Sequence, residues 1–304
     1  MTYMYDLVVI GMGSAGLPAG MYASRYKLRN AIIGAMPGWA LATSHRVENY
    51  PGTISAPGRE IMDRFEEHAR TAGSEMIQDQ VIEVKKSGNI FTIQTASGKI
   101  FESRYVLIAA GNHYKELGVP GEAKFLGSGV SYCATCDGMF FRNQAVAVVG
   151  GGNTAVTEAL FLSEVCSEVH LLVRGERLRA ETVWTEQLTK HPNITVHFNT
   201  SVASIEGQFG VEKLILQDSS ELEVTGIFVA IGNEPNTQII DSMNPEKDDA
   251  GYLVVDKRQE TSIKGLYAAG DITTASNKFQ QTIMSAAEGC LAAHSVHEDI
   301  LQNK

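Results

Sequence analysis

YDLVVIGMGSAG, Tyr5–Gly16, is the stretch whose reading sets the fold. An apolar, β-rich run ends in glycines spaced G-x-G-x-x-G, and the chain continues into the alanine-rich LPAGMYASRYKL. The pattern is strand, glycine turn, helix. In such a turn the first glycine (Gly11) makes the bend, the second (Gly13) lets a pyrophosphate approach the backbone, and the third (Gly16) permits close helix packing. The helix N-terminus then faces the anion. One copy is weak evidence, because glycine-rich strand-to-helix turns are common in α/β proteins. A second copy strengthens it: AVAVVGGGNTA, Ala145–Ala155, followed by VTEALFLSEV. With starts at Gly11 and Gly150, the repeat lies at domain scale.

A third strand-like segment, Gly265–Ala269, leads into Gly270-Asp271 and a helical tail from about Gln281 to Ile300, without a glycine fingerprint of its own. Two hairpin-like stretches, VIEVKKSGNIFTIQTASGKIFES and VASIEGQFGVEKLILQDSSELEV, read as small sheets laid on doubly wound cores. Linker candidates occur around Gly111–Gly121 and Gly232–Gln238. Two boundaries imply an insertion. The expected fold is α/β, with two Rossmann-like three-layer nucleotide-binding domains, the second inserted into the first. The expected division is 1–113, 114–239 and 240–304.

The chain has 304 residues, enough for two cores of ordinary size. A composition 44% apolar and 20% charged, with 29 glycines and 8 prolines, fits a soluble α/β protein rather than a fibre or a disordered chain. The net charge of −10 disfavours nucleic acid and anionic lipid as partners. No secretory signal or transmembrane run is visible near the start. Four cysteines do not make a secreted disulfide framework, so a reducing, cytoplasmic setting is expected.

SYCATCDGMFF, Ser131–Phe141, carries a CxxC. A zinc knuckle needs four ligands, and only one such pair exists; Cys166 and Cys290 are isolated in apolar helical stretches, and the histidines form no ligand motif. A disulfide needs Cα atoms within about 7 Å, which an i, i+3 pair in the first turn of a helix supplies. Helix-terminal amides would also lower a thiol pKa. Asp137 is placed to exchange a proton with a thiolate, although a helix-terminal acid complementing the dipole reads the same way.

Neither nucleotide turn is followed by the acid expected for an adenosine ribose. After the first, the next strand ends in Gly34-Ala35-Met36. After the second, Val169–Val173 is followed by Arg174, Arg177 and Arg179, where an NADP site would place cations. A solvated strand end is the other reading of those arginines.

CATCDG (Cys133–Gly138), GGGNTA (Gly150–Ala155), VENYPG (Val47–Gly52), IGNEPNT (Ile231–Thr237) and AAGD (Ala268–Asp271) together carry a resemblance. Over nearly its whole length the chain resembles the low-molecular-weight, bacterial-type, FAD-dependent thioredoxin reductases. The resemblance implies an FAD domain made of both chain ends and an inserted NADPH domain bearing the redox cysteines. Gly11, Gly13, Ser14, Ala15 and Gly16 would face the FAD pyrophosphate. Leu41, Asn49, Val81, Ala110, Gly111, Gly270, Asp271, Gln280, Gln281 and Thr282 would complete that site. Gly150, Gly152, Asn153, Thr154 and Ala155 would line the NADPH pyrophosphate, with Arg174 and Arg179 at the 2′-phosphate.

The implied electron path runs from NADPH to flavin, from flavin to a Cys133–Cys136 disulfide, and from the dithiol to thioredoxin. Cys136 would face the flavin, Cys133 would attack the partner, and Asp137 would protonate the dithiol. Members are typically homodimers in which the inserted domain rotates, and Gly111, Gly118 and Gly232 are suitable hinges. Met139, Phe140 and Phe141 would form an apolar docking patch; core packing is the alternative for Phe141.

The chain departs from that pattern at Val173-Arg174-Gly175 in place of His-Arg-Arg, at Gly38-Trp39-Ala40-Leu41 in place of Gly-Gly-Gln-Leu, at Gln280 in place of arginine, and at Ala110 in place of threonine. NADPH is the expected donor, with NADH, ferredoxin or another carrier as alternatives. A flavin dithiol oxidase acting on a small molecule is the rival enzyme, and a zinc-binding module the rival non-enzyme.

Overall fold

The structure, a computed structural model, describes residues 4–34, 41 and 47–302. It divides into two compact units, Met1–His113 with Glu234–Lys304, and Tyr114–Asn233. In the first unit β1 (Met4–Ile10) leads into α1 (Gly16–Arg25), then β2 (Asn30–Gly34), α2 (Gly58–Ala72), β3 (Glu75–Gln78), β4 (Val81–Ser87), β5 (Ile90–Thr95) and β6 (Ile100–Ile108). β3, β2, β1 and β6 run parallel in that order. The near-continuous apolar run of β1 follows from burial on both faces. Leu7 and Val9 pack with Leu17 and Ala23 of α1. Val8 and Ile10 face the opposite way, against Val84, Phe91 and Ile93 of β4 and β5. This period-two alternation makes the three layers.

The first hairpin differs from its sequence expectation. It is not a separate small sheet but an extension of the main one, because β6 is long enough to serve two partners along one edge. Its first half pairs antiparallel with β5, from Gln94↔Ile100 to Phe91↔Ser103. The second half is left for a parallel strand that arrives much later in the chain.

The chain leaves the first unit through β7 (Asn112–Tyr114). In the second unit β8 (Val130–Ser131) precedes the single turn α3 (Ala134–Asp137). β9 (Ala145–Val149), α4 (Asn153–Ser163), β10 (Glu168–Leu172), α5 (Thr182–Leu188) and β11 (Ile194–His197) follow, then β12 (Val202–Glu206), β13 (Lys213–Leu216), β14 (Glu221–Glu223) and β15 (Gly226–Val229). The parallel order is β11-β10-β9-β15-β8. Val146 and Val148 pack against Ala155 and Ala159 of α4. Ala147 and Val149 face Ile205 and Leu214 of the antiparallel β12–β14 sheet. Here the hairpin-like stretch does form its own small sheet.

The chain re-enters the first unit through β16 (Asn233–Pro235), which pairs with β7. The division between units falls between Asn233 and Glu234, ahead of the expected 239/240. The reason is local: the Asn236 amide N–H donates to Gly111 O at 3.0 Å, Asn236 Nδ2 donates to Ala110 O at 2.9 Å, and Ile240 is already core. β17 (Leu266–Ala268) then fills the vacant half of β6, with Leu266↔Val106 and Ala268↔Ile108. α6 (Thr282–Gln302) closes the helical layer with Ala292, Ala293 and Val296. Both expected nucleotide-type sheets are therefore present.

Candidate functional site

A cavity of about 590 Å³ opens in the first unit at the C-terminal ends of β1 and β6, the usual ligand position in an open parallel sheet. Gly11 has φ 116°, and a Cβ there would lie 2.2 Å from Ala109 O. A Cβ at Gly16 would lie 1.9 Å from Gly11 O, so Gly16 packs beneath the turn rather than lining the cavity. At Gly13 a Cβ would meet nothing within 4 Å. The outer glycines thus serve packing, and the middle one leaves room for a ligand. Ser14 and Ala15 line the cavity just ahead of α1, whose first turn has no side-chain cap. Leu41, Val81, Ala110 and Gly111 contribute to its walls, with Gly270 and Asp271.

Asp271 is a half-buried acid of this cavity. Burial pushes its carboxyl up, and the hydroxyl of Ser285, which donates to Oδ1 at 3.0 Å, opposes the shift. Glu288 underlies the same turn, accepting from Gly270 N at 2.8 Å and from Ser276 Oγ at 2.6 Å. Gln280 donates from Nε2 to Asp271 O at 3.3 Å. Asn49 and Gln281 lie outside the cavity walls but meet each other, Asn49 Nδ2 donating to Gln281 Oε1 at 3.0 Å. Thr282 opens α6. The Gly38-Trp39-Ala40 departure lies outside the described residues.

The second turn has the same construction. Gly150, at φ 152°, would bring a Cβ within 2.3 Å of Ala230 O and 2.7 Å of Ala155 Cβ, whereas a Cβ at Gly152 would meet nothing within 4 Å. Ala155 therefore takes the packing role of a third glycine. Asn153 and Thr154 are exposed at the start of α4. Asn153 Nδ2 donates to Glu181 Oε1, and the Glu181 amide N–H donates to Asn153 Oδ1, both at 2.8 Å. Arg179 donates its backbone N–H to Gly151 O at 2.6 Å. The loop bearing exposed Arg174, Arg177 and Arg179 is thereby tied to the nucleotide turn. Sequence spacing placed the arginines there; the Asn153–Glu181 clasp carried no sequence signal.

Cys133 and Cys136 form a disulfide with Cα atoms 5.3 Å apart. Cys133 precedes α3, and its carbonyl accepts from the backbone N–H groups of Cys136 at 3.2 Å and Asp137 at 3.1 Å. Buried Ser131 organises the turn. Its Oγ accepts from Cys133 N at 3.1 Å and donates to Asp137 Oδ2 at 2.7 Å. Behind the turn stands Glu158 of α4. Burial pushes its carboxyl up to about 7, opposed by a bond from the backbone amide of Ala134, and Oε2 is buried without a partner. Tyr132, beside Cys133, donates its hydroxyl to Glu122 Oε1 at 2.8 Å; Glu122 also accepts from Leu117 N and Gly118 N, both at 2.8 Å.

Phe141 meets Phe228 edge-on with ring centroids 5.3 Å apart and packs, partly buried, against the core between the second unit's sheet and α4, while Met139 and Phe140 are exposed. The expected patch is thus reduced to two side chains. Cys166 and Cys290 are free thiols whose burial pushes each up to about 11, which keeps them protonated. His294 bonds Tyr26 and His297 stacks on the same ring, so the two do not converge as ligands. Among the described residues no group of three or more His, Cys, Asp or Glu could hold a metal ion. No helix among them is long and apolar enough to cross a membrane.

Two dinucleotide-type units, one carrying a closed CxxC disulfide, define a disulfide oxidoreductase of the two-nucleotide class. The chain belongs to the pyridine nucleotide-disulphide oxidoreductase family, which matches residues 5–289, and within it to the low-molecular-weight, bacterial-type thioredoxin reductases. It is 40% identical to the thioredoxin reductase of Escherichia coli O157:H7, covering 94% of this chain and 93% of the relative. With that of Treponema pallidum it shares 38% identity over 98% and 99% of the two chains. The crystal structure of thioredoxin reductase from Streptococcus pyogenes superposes with a TM-score of 0.92 at 30% identity, covering 99% and 100%.

The family implies a flavin and a nicotinamide cofactor, and the residues present fit both. The space above Gly13 and Gly152 is open.

Proposed function

We propose that this chain is a thioredoxin-disulfide reductase that takes electrons from NADPH, uses FAD, and works in the cytoplasm as a homodimer. The observation that carries the reading is the Cys133–Cys136 disulfide, closed on the unit that bears the second dinucleotide turn. FAD would be held over Gly11–Ala15 with Asp271 and the Asn49–Gln281 pair as further contacts, and would supply two-electron transfer from nicotinamide to disulfide. NADPH would lie over Gly152–Thr154, its 2′-phosphate met by Arg174 and Arg179.

The chain's own chemistry is thiol exchange. Reduction of the disulfide takes two electrons and two protons and leaves Cys133 and Cys136 as thiols. Asp137, which accepts from Ser131 Oγ, would supply one proton and take it back. The Cys133 thiolate attacks one sulfur of the partner's disulfide, forming a mixed disulfide and releasing a partner thiolate. Cys136 then attacks Cys133 Sγ, which frees the partner as a dithiol and restores the Cys133–Cys136 bond. Exposed Met139 and Phe140, beside the cysteines, suit an apolar contact with thioredoxin.

The test is stopped-flow bleaching of the flavin by NADPH, NADH and reduced ferredoxin, followed by insulin reduction with thioredoxin. Fast bleaching by NADPH and thioredoxin-dependent turnover are expected. Failure of both nicotinamides to bleach the flavin would overturn the donor assignment, and rapid oxygen consumption with a small dithiol would favour an oxidase.

A further inference from the structure

One face of α6 supports two turns in the wall of the first cavity. Ser285, Glu288 and Gly289 stand at i, i+3 and i+4, and all three are buried. Ser285 Oγ donates to Asp271 Oδ1 at 3.0 Å. Glu288 Oε2 accepts from Gly270 N at 2.8 Å, with Thr273 Oγ1 3.4 Å away, and Oε1 accepts from Ser276 Oγ at 2.6 Å. Gly289 packs so closely on the first glycine turn that a Cβ would come within 2.0 Å of Ala15 O. Ala15, Gly270, Asp271 and Ser285 line the cavity, whereas Glu288 stands behind them.

A carboxylate taken out of water is tolerated only where donors surround it. Glu288 meets that condition with groups on either side of Asp271. Gly270 has φ 80°, the left-handed conformation in which the chain turns from β17 into Asp271. Ser276, Asn277 and Lys278 have φ 51°, 53° and 57°, a conformation sterically disfavoured for non-glycine residues. The carboxylate thus holds the turn both before and after the cavity acid. Asp271 also feels it through space: burial, and to a lesser extent the charge of Glu288, push its carboxyl up, against the bond from Ser285.

We propose that Glu288 is a positioning residue of the flavin site, holding the Gly270–Asp271 turn on α6 so that Asp271 is presented to FAD. The proposal rests on the reading that this cavity holds FAD. It assigns a role to an acid that neither lines the cavity nor belongs to a glycine fingerprint.

The experiment reads FAD affinity by fluorescence quenching in full-length proteins stripped of flavin: wild type, Glu288→Ala, Glu288→Gln, Ser276→Ala, Asp271→Ala and the double variant Glu288→Ala with Asp271→Ala. Glu288→Ala and Asp271→Ala are each expected to weaken binding about ten-fold, the worth of one hydrogen bond. The double variant should bind hardly more weakly than either, because the first change already removes the contact that the second deletes. Glu288→Gln should bind near wild type, since its Oε1 can accept from Gly270 N while its NH₂ donates to Ser276 Oγ. Ser276→Ala, which leaves the bond to Gly270 in place, should do the same. Additive losses in the double variant, about 100-fold, would overturn the proposal. So would wild-type affinity in either single alanine variant of the two acids, no rescue by glutamine, or a loss in Ser276→Ala equal to that in Glu288→Ala. Should Glu288→Ala not fold, Glu288→Met, which keeps the volume and offers no oxygen, takes its place in the cycle. A wild-type protein that binds no FAD at all would instead overturn the reading of the cavity.

Discussion

Ser131 Oγ bridges the backbone N–H of Cys133 and the carboxylate of Asp137, at 3.1 and 2.7 Å. The carboxylate proposed to move a proton is thus tied through one hydroxyl to the chain at the first cysteine. Asp137→Asn, which keeps the shape and removes the acid, is expected to slow dithiol formation by about 100-fold, in the range of general acid–base contributions. Ser131→Ala should cost about ten-fold, by removing the hydroxyl that donates to the carboxylate. Rapid-reaction traces of flavin reoxidation by the disulfide measure both; equal rates in Asp137→Asn and wild type would remove Asp137 from the proton path.

Replacing either cysteine separates the two halves of the reaction. Cys133→Ser and Cys136→Ser should each abolish thioredoxin-dependent insulin reduction while leaving flavin bleaching by NADPH intact. Retained insulin reduction in either variant would place the exchanging disulfide elsewhere.

Glu158 makes stability depend on pH. Burial raises its carboxyl to about 7, so the fold favours the neutral form. Its contribution is complete at pH values below the ordinary carboxylate range and is lost as pH rises through about 7. Glu158→Gln, neutral throughout, should match wild type near pH 4 and exceed it above pH 8 by about 3 kcal/mol. Melting curves at the two pH values check the sign; a Gln variant less stable at high pH would show that the ionised carboxylate is the favoured form.

If NADPH is the donor as proposed, Arg174 and Arg179 are the residues expected to set the preference for it. Alanine at either position is expected to raise KM for NADPH about ten-fold and to leave KM for NADH unchanged, because only NADPH has the phosphate. Steady-state kinetics with both nucleotides decide it. Parallel losses would mean that the arginines merely support the loop tied to Gly151.

Local sequence grammar made most of the architecture legible. Gly11, Gly13 and Gly16, and their counterparts Gly150, Gly152 and Ala155, stand in backbone turns whose requirements are set within a few residues. The i, i+3 spacing of Cys133 and Cys136 likewise contains its own geometry. What stayed hidden depends on distant partners. Phe141 looked able to serve surface or core until Phe228 supplied a ring to pack on. The first hairpin read as a separate sheet because nothing in its own residues shows that β6 has a free edge to offer. Glu158 and the Asn153–Glu181 clasp are polar groups whose meaning comes from burial or from a partner far along the chain.

The divided edge of β6 also sets an order of events during synthesis. Val106–Ile108 are translated before the inserted residues, but the strand that covers them, Leu266–Ala268, comes after. Until then a nascent chain carries an unpaired parallel edge, a template for mispairing. It also lacks Gly270, Asp271 and Ser285 from the cavity wall. A chain cut before Gly265 is therefore expected to pull down with chaperones and to come out colourless, making cofactor capture one of the last steps in the birth of the molecule.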